Sequence, residues 1–327
     1  MGIGSTGSYL LRRVGHSILL TFAVSVLTFA LLDIAPGTFF DELKTNPSIT
    51  AETLTVLKNR YGLDQPLPIR YERWLKGAIR GDFGLSLAYN TPVVSLLLPR
   101  AGNTILLTGI ATILAWFIAI PLGIWSAAGT RSWRRHIVET AASGLLVIPE
   151  MILALACLWI AVRTHTLPVG GMTSRHFEEL NGLGKIKDLA SHLIVPVVVL
   201  ALGMLPALVR HVRGAMTQAL RLPFVQAARA HGIPRGWVLM RYALPVAANP
   251  LISLFGFSLA GLLSASMLVE VVMGWPGIGP LLLDATLSRD VYVVIGAVML
   301  SSVLVIIANL VADLLLYAAD PRIRSGA

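Results

Sequence analysis

The sequence predicts an all-α polytopic membrane protein. It should have six transmembrane helices, both termini cytoplasmic, a large extracytoplasmic loop after the first span, and a cytoplasmic helical insert between spans four and five. Three observations carry this. Of 327 residues, 55% are hydrophobic and 13% charged, with a mean hydropathy of +0.75, whereas soluble domains carry about 25% charged residues. Six apolar stretches reach the roughly 20 residues that a helix needs to cross the hydrocarbon core. None alternates with the period of a barrel strand, and lipid offers no partner to unpaired backbone groups, which leaves helix.

The first stretch, Val14–Ala35, follows Arg12 and Arg13. A charged start before an apolar run is also the layout of a signal peptide. No small-x-small cleavage site follows, and Asp33, Pro36 and Gly37 end the run, so it reads as an uncleaved span. The others are Thr104–Ala127, Ile137–Val162, His192–Val209, Ala247–Val269 and Val291–Tyr317. The third reads as one continuous span with Glu150 near its middle. The fourth is short and contains Pro196 and Pro206; its helix is expected to run on through Arg213, beyond the lipid.

The connections are informative. In the long loop after the first span, Leu67, Tyr71, Trp74, Leu75 and Ala78 recur at helical spacing, which predicts an amphipathic helix in a small folded cap. The second outer loop, Arg163–Ser191, is polar and Gly-rich. The third, "VVMGWPGIGPLLLDATLSRD", holds a Trp-Pro-Gly turn and then an apolar stretch. It reads as a re-entrant or interfacial helix rather than a seventh span.

Sidedness follows from the basic residues. The assigned inner segments and the outer segments hold equal numbers of Lys and Arg, so the bare count does not decide. However, eight of the outer ones sit in one long loop, where the positive-inside rule acts weakly. The outer loops are also rich in acids, such as Asp41, Glu42, Glu52, Asp64, Glu72 and Asp82. The short inner stretch "TRSWRRH" and the C-terminal "DPRIRSGA" fit the rule.

Several chemistries have no residues to support them. No G-x-x-x-x-G-K-[ST] phosphate loop is present, and no Cys/His group has metal-ligand spacing. The seven histidines are scattered, and none pairs with a Ser and an Asp in a nucleophilic arrangement. The single cysteine, Cys157, reads as a small buried hydrophobe. The chain is therefore expected to be no enzyme, with no cofactor or metal of its own and no nucleic-acid partner. Uphill transport would draw on an ion gradient or on a partner.

An ion-coupled carrier buries acids near mid-membrane. Glu139 and Glu270 lie at span ends, and Asp313, four residues after Asn309, reads as a helix-to-helix contact. Glu150, directly after Pro149, is the exception. It reads either as a group facing a water-filled lumen or as a structural hydrogen-bonding group.

The insert, "FVQAARAHGIPRGWVLMRYALP", spans Phe224 to Pro245. It holds Arg229, His231, Arg235 and Arg241 and no acid. Gly232 is a natural helix stop, Pro234 suits the first turn of a second helix, and Pro245 marks the next break. Phe224, Ala227 and Ala228 give the first helix a small apolar face. That face suits a groove on a partner; the arginines equally suit a helix lying on anionic headgroups.

Gln226-Ala227-Ala228, Gly232 three residues beyond Arg229, and the following Leu244-Pro245 resemble the EAA motif of binding-protein-dependent ABC importer permeases. Gln226 stands where the name-giving glutamate of that motif is found. Four further stretches look like the dipeptide and oligopeptide branch: "LLRRVGHSILLTFAVSVLTFALLDIAPG", "RYGLDQPLPIRYERWLKGAIRGDFGLSL", "MLVEVVMGWPGIGPLLLDA" with "RDVYVV", and "NLVADLLLYAADPRIR". The resemblance covers about residues 9 to 324. Two departures lie where substrate would be met: "TFFDELKTN" in place of Gly-Asp-Pro after the first Pro-Gly, and Glu150 where a neutral residue is expected.

The resemblance implies one permease half of an ABC importer in a bacterial or archaeal cytoplasmic (inner) membrane. It implies a second homologous permease subunit, two ABC ATPase subunits that bind ATP and Mg, and an extracytoplasmic solute-binding protein. Residues 1–35 would form the N-terminal segment and first span, 36–102 the outer cap, 103–320 the importer transmembrane domain with a coupling helix at 223–240, and 321–327 a tail. Phe224, Gln226, Ala227, Ala228, Arg229, Gly232 and Arg235 would contact or transmit to the ATPase. The cargo would be dipeptides or oligopeptides, with nickel chelates and glutathione as alternatives in the same branch. A stand-alone ion-coupled carrier using Glu150 is the competing class.

Overall fold

The computed structural model describes residues 3–35, 65–129 and 132–319. Among them the chain is helical, with one isolated bridge between Leu85 and Pro92. The helices are α1 (Ile3–Ile34), α2 (Leu67–Ala78), α3 (Val93–Ala128), α4 (Ser132–Val147), α5 (Glu150–Thr164), α6 (Gly182–Ala219), α7 (Pro223–Ala230), α8 (Arg235–Val272), α9 (Ile278–Leu287) and α10 (Val291–Ala319). Five are long and apolar enough to cross a membrane, or six spans if the bent α4–α5 pair is one. The chain divides into two compact units.

The larger unit is built on Thr104–Trp275 and the chain from Val305. Its core is made where α6 meets α3 and α8: Ala115, Ala119, Val209, Val212, Met216 and Ala247 are buried together. Small residues allow the helices this approach. A Cβ on Gly123 of α3 would lie 2.6 Å from Val212 of α6, and one on Gly256 of α8 would collide with Ala312 of α10. Such small-residue seams are how helices pack when lipid removes the hydrophobic drive between them.

The expected third span is not straight. α4 and α5 meet at Ile148–Pro149 with a bend of 96°. Pro149 lacks an N–H and pushes the preceding residue out of helical geometry. Its own ψ of 138° starts a new helix, and its carbonyl accepts from Ile152 at 2.9 Å and Leu153 at 3.1 Å. Pro196 and Pro206 act differently: both are buried inside α6, which runs unbroken for 38 residues. That helix also starts well before the expected His192. Asn181 caps it by accepting from the Gly184 N–H at 2.7 Å.

The smaller unit comprises Gly7–Asn103 and Pro276–Leu304. The amphipathic α2 appears as the spacing predicts, with Trp74 buried against Phe29 of α1 and Ile295 of α10. Tyr71 donates or accepts a 2.8 Å hydrogen bond with Ser25 of α1. Asp290 sits fully buried just before α10. Its Oδ2 accepts from Ser86 Oγ at 2.6 Å and from the Ala88 N–H at 3.0 Å. The apolar stretch after the Trp-Pro-Gly turn forms the short α9, as the sequence suggests. The rest of the long loop, residues 36–64, with its "TFFDELKTN" departure, lies outside the described residues, as does the tail at 321–327.

Candidate functional site

α7 is an eight-residue helix slung between the ends of α6 and α8. α6 closes at Ala219, and Pro223 opens α7 at its first position, where a missing N–H costs nothing. Leu222 O receives the N–H groups of Val225 and Gln226, each at 3.0 Å. Gln226 Nε2 donates to the Arg221 carbonyl at 3.2 Å. A glutamate at this position would be acceptor-only when ionised and could not make that bond.

The C-terminal end is a Schellman motif. Ile233 N–H donates to Ala228 O at 3.3 Å and Gly232 N–H to Arg229 O at 3.1 Å, with Gly232 at φ +75°. Only glycine adopts that conformation without steric cost. Gly232 is therefore the turn the sequence assigned it.

The two alanines do not share a face. Val225 is fully buried and Ala228 is 8% exposed; both point into the chain's own helices, whereas Phe224, Gln226, Ala227 and Arg229 are exposed. With about 100° per residue, Phe224 and Ala227 lie on one flank of α7, and Gln226 and Arg229 on the other. Ala228 thus faces the chain's own helices, and the single apolar face expected of Phe224, Ala227 and Ala228 is split, because the apolar pattern alone does not say which side meets the bundle.

Beyond Pro234, Arg235 begins α8, which continues without a break to Val272. The expected stop at Pro245 is absent. A π-helical turn at Val238–Ala243 precedes Pro245. The wider turn absorbs the residues ahead of the ring, and its missing N–H falls at the junction. α7 is therefore joined to a transmembrane helix through one glycine turn, with no second free-standing helix between them.

Arg229 and Arg235 line one cleft, together with Thr217, Arg221 and Gln226, beside the end of α3. Sequence reasoning missed Arg221; its position immediately before Leu222-Pro223 was the only signal. It also missed the pairing of Glu139, whose carboxylate is shared by Arg135, at 3.1 Å, and Arg213. This ties α4 to α6 and gives Glu139 a structural role.

Glu150 lies apart from α7. It is the first residue of α5, where the helix dipole favours a carboxylate, and it is half-buried. Its carboxyl group rests over Gly203 of α6, where a Cβ would come within 3.6 Å of Oε1. It makes no hydrogen bond or ion pair with a described residue, so the structural hydrogen bond considered for it is not found. No group of three or more His, Cys, Asp or Glu could hold a metal among the described residues.

Two family models match. Residues 119–325 match the binding-protein-dependent transport system inner membrane component, and residues 7–108 match the N-terminal membrane component of the same systems. The oligopeptide transport system permease protein AppB of Bacillus subtilis is 34% identical, over 97% of this chain and 99% of its own length. The dipeptide transport system permease protein DppB of Escherichia coli K12 is 30% identical, over 97% and 98%. Among solved structures, the inward-facing MetNI methionine ABC transporter matches with a TM-score of 0.52 and 19% identity, over 69% of this chain and 96% of the matched one; that likeness concerns the fold. The two family matches and the near-full-length relatives point the same way: this chain belongs to the family of binding-protein-dependent transport system inner membrane components.

Proposed function

We propose that the chain is one permease subunit of an ATP-driven ABC importer for dipeptides or oligopeptides, resident in a cytoplasmic (inner) membrane. In this reading α4 and α5 together form the third of six spans, both termini are cytoplasmic, and α7 is the coupling helix. A second homologous permease completes the path, two ATPase subunits dock below, and a solute-binding protein delivers cargo from outside. ATP and its Mg are bound and hydrolysed in the partners. The peptide class comes from the relatives, whose names specify oligopeptide and dipeptide transport.

The observation that carries the reading is the construction of α7. Its inner side is locked by Val225, Ala228 and the Gly232 turn, while Phe224 and Ala227 project outward. A rigidly anchored short helix with an exposed small-apolar flank suits a groove on a partner. Movement of the ATPase would pass into α6 and α8 directly, because α7 leads into each through a tight turn. A contact that is equal in both states shifts nothing, so the bias comes from ATP favouring the closed ATPase dimer. Glu150, at the α4–α5 bend, is proposed to face the lumen and to act on cargo.

Import into proteoliposomes tests this. Labelled dipeptide should accumulate only with both permeases, the ATPases, the binding protein and ATP. Accumulation by this chain alone under an ion gradient would favour a stand-alone carrier using Glu150. Import restricted to glutathione or a nickel chelate would keep the machinery and change the cargo.

A further inference from the structure

Two clefts adjoin beside the insert. The first, about 320 Å³, is lined by Thr217, Arg221, Gln226, Arg229 and Arg235, with no acid among the described residues of its wall. None of the three arginines forms an ion pair with a described residue. The second, about 510 Å³, is lined mainly by Ile120, Pro121, Ile124, Leu239 and Met240, and also by Arg134. The clefts share Ala128, Arg235 and Leu239, so apolar and cationic walls run into one another.

Arg134 is held in place by aromatic rings. Its guanidinium lies 5.5 Å from the centre of the Trp125 ring and 5.8 Å from that of Trp133. Both indoles are substantially exposed, at 36% and 47%. Exposed tryptophans with arginine at a span end mark the headgroup level of a bilayer.

We propose that these joined clefts form a binding site for an anionic phospholipid. The phosphate occupies the cleft of Arg221, Arg229 and Arg235, and an acyl chain lies along Ile120, Ile124 and Met240. Guanidinium forks match phosphate oxygens in geometry and charge, and Thr217 and Gln226 add neutral donors. A free inorganic anion would satisfy the arginines but would leave the adjoining apolar wall uncovered. A basic pocket between helices at the cytoplasmic face is a favourable place for a lipid headgroup. The cytoplasmic placement rests on the sidedness proposed above. The site gives Arg229 and Arg235 an occupant on the flank of α7 that bears Gln226, away from Phe224 and Ala227. The bound lipid would then brace the hinge between α7 and α8 and make coupling depend on membrane composition.

Native mass spectrometry of the assembled importer tests this, with phosphatidylglycerol, phosphatidylcholine, inorganic phosphate and glycerol 3-phosphate as probes. Wild type should bind phosphatidylglycerol at least about tenfold more tightly than phosphatidylcholine. R134Q/R221Q should lose about tenfold or more of that affinity while retaining both ATPase subunits. Neither position belongs to the docking flank, so loss of lipid and loss of ATPase are read separately in one spectrum. Equal lipid affinity in the double variant would overturn the proposal. So would displacement of the lipid by inorganic phosphate or glycerol 3-phosphate at comparable concentration, which would make this a free-anion site. If the double variant shed ATPase while keeping lipid, the arginines would belong to the ATPase interface and the proposal would also fail.

Discussion

The segment before α10 and the segment before α8 are held by opposite means. Asp290 is fully buried, and its carboxylate takes both the Ser86 hydroxyl and the Ala88 N–H. α7 is held from within by small apolar side chains and backbone caps, and its polar groups stay exposed. A buried, satisfied carboxylate fixes one arrangement and offers nothing to a partner. An apolar anchor fixes the helix equally well and leaves an entire flank for docking. The difference separates a region that must only be rigid from one that must be rigid and recognised.

The largest test of this contrast is Asp290→Ala. It strips the buried Ser86 hydroxyl and the part-buried Ala88 N–H of their acceptor and should cost about 3 kcal/mol, read as a fall in thermal unfolding temperature of the purified subunit. Thermal unfolding unchanged within about 0.5 kcal/mol would remove Asp290 from the account. Next comes Ala228→Phe, which forces a ring into the seam under α7 and should cost about 1–3 kcal/mol. Ala227→Phe, one residue away, should leave unfolding within about 0.5 kcal/mol of wild type, as surface changes do. If the two alanines behaved alike, the division of α7 into an anchored side and a docking flank would be wrong.

Gly232→Ala should cost about 1 kcal/mol by forcing an L side chain into φ +75°. Its import loss should exceed that of an equally destabilised variant elsewhere, because the turn links α7 to α8. The smallest expected effect lies at Glu72 on α2, whose carboxyl is held below its ordinary range by a hydrogen bond and charge from Lys76. A lowered folded-state pKa gives stability that is present above the unfolded pKa and is lost as pH falls through the folded one. Both groups are well exposed, so only a slight loss of α2 protection in hydrogen exchange is expected below about pH 4. Lys76→Ala should abolish even that pH dependence.

Much of this architecture was legible in the sequence. The apolar runs located α1, α3, α8 and α10, helical spacing located α2 with Trp74 inward, and the Trp-Pro-Gly turn announced α9. Three features were not legible, for physical reasons. Pro149 breaks its span while Pro196 and Pro206 do not. The latter two are buried in packed surroundings, whereas Val147 and Ile148 beside Pro149 are 80% and 43% exposed, with little packing to bridge a break. The polar start of α6 read as loop because its helix extends past its apolar run, supported by the Asn181 cap. The Ala227–Ala228 assignment needed the direction of the bundle, which sequence spacing does not contain. The cleft of Arg221, Arg229 and Arg235 was invisible for a related reason: its walls come from α3, α6, α7 and α8.

The central claim is that α7 couples this chain to an ATPase through the flank bearing Phe224 and Ala227. The most direct test is disulfide cross-linking in the assembled importer, with Cys157→Ala removing the single native cysteine. A paired cysteine would be placed in the groove of the ATPase subunit. Ala227→Cys should cross-link to the ATPase, with the yield changing between nucleotide-free and ATP-bound states, while Ala228→Cys should stay unreactive. Cross-linking from Ala228 and none from Ala227 would contradict the account.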